Sequence, residues 1–302
     1  MAWAANRLVQ GITNVARYLK WLEFVIAFFV MALAASIPNL FVGISSALHG
    51  IPELSFGDVV GNSVIDLTLV AGLAVLLGAN LISESKLVQT SSFFTIIIAI
   101  LPLLLILDGQ LGRGDGAALI FIFILYSIWL FSHRKDFVKT LDRLPEEPIE
   151  RFQTFLWSIV QIILGIVLIL IAAEGIVRAA TFFAAEFHIP IAMIGILVLG
   201  TGNALPEIYF AIASAKKGKT LLILGTLMGS VVVLATLVLG IVALIHPIEI
   251  EDFSPFQTAR FFLIISALFF LIFSRTDRRI SKREALFLIF LYILFVAAEI
   301  IF

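Results

Sequence analysis

Nine long apolar stretches, separated by short polar segments, set the rhythm of this chain: A (21–48), B (58–79), C (87–107), D (116–132), E (153–175), F (189–215), G (220–246), H (257–274) and I (284–302). A helix needs about 20 apolar residues to cross a hydrocarbon core of about 30 Å. The stretches have that length. None shows the alternation of a membrane β-strand, and all are too long and too uniformly apolar for strands. The pattern therefore predicts an all-α integral membrane protein with nine spans. Composition agrees, with 61% hydrophobic residues, 28 Phe, 14% charged residues and a mean hydropathy of +1.13.

The absence of Cys excludes structural disulfides and thiolate metal sites. A net charge of −1 decides nothing by itself, but the placement of the charges does. If the loop between D and E (133–152) is cytoplasmic and sides alternate from there, seventeen Lys and Arg fall inside, and only Arg113, Arg178 and Arg260 fall outside. Such sorting supports both the span count and an orientation with the start of this chain inside and its C-terminus outside. The basic runs read as topology determinants rather than as a nucleic-acid surface. The predicted setting is a multi-pass protein of the cell membrane. The acids of the outer loop HPIEIEDF read as a solvated loop.

Sliding the chain along itself by 168 residues superposes 26–76 on 194–244 without a gap, with 16 of 51 positions identical. Pro38 matches Pro206, Gly50 matches Gly218, Gly57 and Gly61 match Gly225 and Gly229, Thr68 matches Thr236, and Gly72 matches Gly240. Prolines and glycines at fixed places imply a shared backbone. Because A aligns with F, five spans later, the two copies enter the membrane from opposite sides. This predicts an inverted-topology repeat. The first repeat covers 1–132 (core 24–79), a cytoplasmic linker 133–152, and the second repeat 153–302 (core 192–247).

Inverted repeats recur in secondary transporters, which hold substrate near the midplane on interrupted helices. Pro38 and Pro206 lack an N–H, so the carbonyls of Ala34 and Gly202 are expected to be free to meet a cation. Polar residues gather beside them. Ser36 and Asn39 share a face of A, Asn62 and Asp66 a face of B, Asn203 and Glu207 a face of F, and Ser230 takes on G the place of Asn62. Asp66 and Glu207 lie mid-span with no Lys or Arg beside them in sequence, so they call for a mobile cation or a proton. The glycine pairs 57/61 and 225/229 read as seams that let helices approach.

The paired stretches ASIPNLFVGISSA with GDVVGNSVIDLTLVAGL, and GTGNALPEIYFAIASA with GTLMGSVVVLATLVLGI, resemble the two α-repeats of the calcium:cation antiporter superfamily, which includes sodium/calcium and proton/calcium exchangers. The resemblance implies ten helices in two halves of five, and cation ligands at Ser36, Asn39, Asn62, Asp66, Asn203, Glu207 and Ser230. It also exposes departures. Asn39 stands where the family usually has glutamate, Asp66 where sodium/calcium exchangers often have an amide, and Leu234 where many relatives have an acid or amide. Ala35 and Ala204 replace hydroxyl residues that help hold sodium. The implied site has two carboxylates and few side-chain oxygens, which tilts the counter-ion from sodium toward protons.

In the repeat register Met1 matches Ile169, already deep in E, so most of the first helix of the first half is missing from the nine spans. Residues 1–20 read as its tail and a link to A, with a translation start expected upstream. The function implied is secondary antiport of Ca2+ against Na+ or H+, with inorganic cations and lipid as partners, and neither a cofactor nor nucleic acid. Two alternatives stand beside it. One is a degenerate ion-binding relative without transport. The other is an intramembrane acid–base hydrolase using Asp66 and Glu207. No HExxH, Walker or Gly-rich nucleotide signature is present.

Overall fold

Each predicted span folds as a helix, and their bounds follow the apolar runs. A computed structural model describes residues 31–78, 80–83, 86–132, 152–218, 220–250 and 254–301. The helices are α1 (Met31–Leu48), α2 (Glu53–Leu77), α3 (Lys86–Leu105), α4 (Arg113–Ser132), α5 (Phe152–Phe187), α6 (Ile191–Lys216), α7 (220–245), α8 (Ser254–Arg275) and α9 (Lys282–Ile301). Among the described residues, eight helices are long and apolar enough to cross a membrane, and α1 is a shorter apolar one. The first ten residues of A and the expected tail of a preceding helix lie outside the described residues.

Two bounds differ from expectation for physical reasons. B begins at Glu53 rather than at residue 58, because Asp58 is buried inside the bundle instead of ending the span. E continues to Phe187 as one helix of 36 residues, about 54 Å at 1.5 Å per residue. Exposed apolar side chains continue along it through Phe182, Phe183 and Phe187, beyond the expected end at residue 175.

The inverted repeat is written into the backbone. Gly50 and Gly218 both take left-handed φ values, 72° and 69°, one residue pair beyond the ends of α1 and α6, the conformation in which glycine ends helices without a Cβ penalty. Helix α2 widens into a π turn at Asp66–Val70, and α7 widens at Val233–Val238. In each, the matched threonine donates to a carbonyl four residues back, Thr68 Oγ1 to Val64 O and Thr236 Oγ1 to Val232 O, both at 2.5 Å. These hydroxyls take up backbone acceptors where the regular ladder is disturbed.

Two miniature ribbons complete the symmetry. β1 (Leu81–Ile82) pairs antiparallel with β4 (Arg279–Ile280), and β2 (Gln110–Leu111) pairs with β3 (Ile248–Glu249). Helix α3 runs from β1 to β2, so the ribbons clip the halves together at opposite ends of the bundle. Each is extended by one further bond, Ser83 N to Arg278 O at 2.8 Å and Ile250 N to Gly109 O at 2.9 Å.

Helices α2 and α7 form the centre, with 83% and 78% of their apolar windows buried, against 22% for α4. Glycine seams permit this density. A Cβ on Gly57 would meet Ala192 O at 2.4 Å, and one on Gly61 would meet Ile196 O at 2.1 Å, so the backbones of α2 and α6 touch as the seam reading expects. Gly72 closes on α9 at Ala285 O, and its mate Gly240 closes on α4 at Gly116 O.

The prolines do not interrupt their helices. Both α1 and α6 run on through Pro38 and Pro206, since one missing N–H and a local bend are absorbed when neighbouring turns stay bonded. The irregular turns lie elsewhere, in α2 and α7 and in α6 at Ile194–Leu199, just before the polar stretch that begins at Gly200.

Candidate functional site: a buried carboxylate and amide cluster

Helix α6 has an inverted amphipathic face. Its buried positions are Gly200, Ala204, Glu207, Ala211, Ser214 and Ala215, while Leu205 and Tyr209 are exposed. Small residues bring α6 against α2, where a Cβ on Gly200 would lie 2.9 Å from Asn62 N. That close approach carries Glu207 to the middle of the bundle. On α2, Asp58, Asn62 and Asp66 follow one another at intervals of four and share one face. All three are buried.

Four of the expected residues meet there. The Asp66 and Glu207 carboxyls lie close enough to interact across the α2–α6 interface, with Ser230 of α7 beside both. Ser230 Oγ donates to Glu207 Oε1 at 2.9 Å, and Asn62 Nδ2 donates to Asp66 Oδ2 at 3.5 Å. Three buried oxygens are left without a donor, namely Asn62 Oδ1, Asp66 Oδ1 and Glu207 Oε2. Two ionised carboxylates in contact repel each other, so the pair is stable with a proton or a cation between them. Unpartnered acceptor oxygens on three side chains are the donor set a hard cation takes.

Two other expected residues gather at a second point. Asn39 Nδ2 of α1 donates to Asp58 Oδ2 at 3.0 Å, and Asn203 Nδ2 of α6 donates to Asp58 Oδ1 and Oδ2 at 3.0 and 3.2 Å. Asp58 lies near enough to Glu207 to interact with it electrostatically. A third buried carboxyl, Asp58, thus lies beside the expected pair. Sequence reasoning passes over Asp58 because it stands at the edge of an apolar run, where an acid reads as a boundary. Its spacing of four from Asn62 and eight from Asp66 was the signal. Even so, among the described residues no three His, Cys, Asp or Glu side chains converge as a metal cage.

The remaining expected residues stand apart. Ser36 is buried, but its hydroxyl donates to Ala32 O at 3.0 Å on its own helix. Gly202 sits on the exposed side of α6, with nothing within 4 Å of the place a Cβ would take. Ala34 lies within α1, and its side chain is outside the described set. At the end of α1, Ser45 Oγ donates to Glu174 Oε2 of α5 at 3.0 Å, and His49 lies 3.2 Å from the same carboxylate.

The family described as "Sodium/calcium exchanger protein" matches residues 1–132 and 157–301. The chain is 27% identical to the inner membrane protein YrbG of Escherichia coli K12, covering 90% of this chain and 85% of that one. It is 25% identical to the putative antiporter CaxA of Alkalimonas amylolytica, covering 97% and 93%. It is also 25% identical to the sodium/calcium exchanger MaX1 of Methanosarcina acetivorans, covering 96% and 93%. Among solved structures, the sodium-calcium exchanger NCX_Mj soaked with Na+ and Sr2+ superposes with a TM-score of 0.68 at 25% identity, over 98% of this chain and 93% of that one. The intramembrane hydrolase is thereby set aside, since the family consists of transporters. With its inverted repeat, its apolar membrane helices and its buried acids, the chain belongs to the sodium/calcium exchanger family of multi-pass membrane antiporters.

Proposed function

We propose that the protein exchanges Ca2+ for Na+ or H+ through the Asp66–Glu207 site near the middle of the membrane. The observation that carries this reading is the set of three donorless buried oxygens on Asn62, Asp66 and Glu207. Magnesium gives up its water reluctantly, whereas calcium accepts an irregular cage of side-chain and backbone oxygens, and this favours calcium. Ser230 and the amides of Asn39 and Asn203 complete the ligand set, whereas Ser36, bonded to Ala32 O, and Gly202, on the exposed side of α6, lie outside it. The domain division follows the repeat, 1–132 and 153–302 about the linker 133–152. The charge sorting supports an orientation with that linker and the start of this chain in the cytoplasm and the C-terminus outside.

Access alternates, in this reading, as α1 and α6 slide against the α2–α7 centre. Cysteines at Ser45, now tied to Glu174, and at Ser214, now buried, are expected to change their labelling when the coupling ion is swapped. The deciding experiment is uptake of labelled calcium into liposomes loaded in turn with sodium, potassium or a proton gradient. Uptake driven by none of these would leave only a degenerate, non-transporting relative.

A further inference from the structure

We infer that Asp58 is a positioning residue that turns the amides of Asn39 and Asn203, one from each half of the molecule, so that both present oxygen rather than nitrogen to a cation. The inference rests on the exchange reading above and adds a residue to its machinery. An amide has two ends of similar shape and opposite character, and only the oxygen attracts a cation. Something must choose between them. Here the choice is made by a fully buried carboxyl whose two oxygens both accept amide N–H groups, at 3.0 Å from Asn39 and at 3.0 and 3.2 Å from Asn203. With each nitrogen held, each carbonyl oxygen is the end left to face elsewhere.

Three further observations separate this role from that of a third ligand. Asp58 does not converge with Asp66 and Glu207 into a metal cluster among the described residues. Its oxygens are already occupied by amide donors, whereas one oxygen on each of Asp66 and Glu207 has no donor. Its mate in the repeat, Thr226, donates to Leu222 O of its own helix at 2.9 Å. One carboxyl in one half therefore orders amides on both of the helices that carry the matched prolines. It also joins α1 to α6 through the central helix, which ties the amide geometry to the relative position of the halves.

The test is equilibrium binding of labelled calcium to the purified full chain in detergent, with size-exclusion profiles to confirm folding. Asp58→Asn removes the charge, keeps only one acceptor oxygen and turns an N–H group toward at least one of the two amides, so their hold is weakened. Calcium affinity is expected to fall by about tenfold or more. In the Asn203→Ala background the same change is expected to cost at least about threefold less, because one of the groups it acts through is gone. If Asp58→Asn does not fold, Asp58→Thr serves in its place, since threonine is already accommodated at the mate position. A variant that binds as the wild type does would overturn the inference. So would a loss undiminished in the Asn203→Ala background, which would mean that Asp58 acts by its own charge. A wild-type protein that binds no calcium would instead sink the exchange reading, and this inference with it.

Discussion

Helices α2 and α7 are built on one backbone and carry different chemistry. Both have a π turn at the matched place, a threonine closing it, and a glycine a turn later that lets a neighbouring helix in. Along the polar face, however, α2 presents Asp58, Asn62 and Asp66, where α7 presents Thr226, Ser230 and Leu234. The outer pair compensates in part, with Ser36 and Asn39 on α1 set against Ala204 and Glu207 on α6. Architecture is therefore duplicated and charge is not. The difference teaches that packing constrains both copies equally, whereas the proposed ion site needs only a total, which the halves can divide unevenly.

The sharpest way to break that comparison is to remove one acid from each half. Asp66→Asn and Glu207→Gln are each expected to reduce calcium uptake in liposomes to background. Either change leaves a divalent ion under-compensated in a low-dielectric site. If Glu207→Gln transports while Asp66→Asn does not, the two halves do not share the site, and the contact between these carboxyls is structural.

Next in size is the shared backbone. Gly61→Ala must push a methyl into Ile196 O, 2.1 Å away, which is backbone and cannot swing aside. The expected result is a loss of about 1–3 kcal/mol or more, seen as a lower melting temperature in detergent and a poor folded yield. Gly202→Ala, with open space around the new methyl, is expected to melt as the wild type does. Equal melting of the two variants would contradict the seam.

Much of this was legible in the chain. Span lengths, the repeat, the glycine seams and the facing acids follow from residue spacing, because apolar runs and matched glycines constrain the backbone directly. Three features were not. Asp58 was hidden because an acid at the edge of an apolar run looks like a boundary, and only tertiary packing shows it to be interior. The π turns at Asp66 and Val233 have no local signature beyond the matched threonines, since the same residues suit an ordinary α-helix. A mid-span proline suggests a break, but a single missing N–H bends a helix without unwinding it when its neighbours hold.

A smaller effect is expected from making α7 more like α2. Leu234 is wholly buried at the start of its π turn, at the place where α2 carries Asp66. Leu234→Asn adds an oxygen to the second half without adding charge. Sodium, which relies on the number of oxygens more than on their charge, is expected to compete with calcium about two- to fivefold better, while calcium affinity changes little. The measurement is inhibition of calcium uptake by external sodium, and unchanged inhibition would mean that position 234 does not face the ion.

The smallest expected effect is on the electrical side, and it tests whether Asp58 belongs to the exchanging charge. Asp66 and Glu207 have oxygens free to trade one Ca2+ for two monovalent cations, whereas both oxygens of Asp58 are taken by Asn39 and Asn203. If Asp58 keeps its amides throughout the cycle, the charge of the site is the same with either load, and each turnover moves no net charge across the membrane. Calcium uptake at fixed ion gradients is then expected to be flat when potassium and valinomycin impose a potential. A third monovalent ion per calcium would need a third carboxylate. It would also move one charge per cycle, worth about 2.3 kcal/mol per 100 mV, and the flux would respond steeply. A steep response that disappears in Asp58→Asn would convert Asp58 from a fixed clamp into a third exchanging site, and would make the imbalance between α2 and α7 the source of the electrical asymmetry.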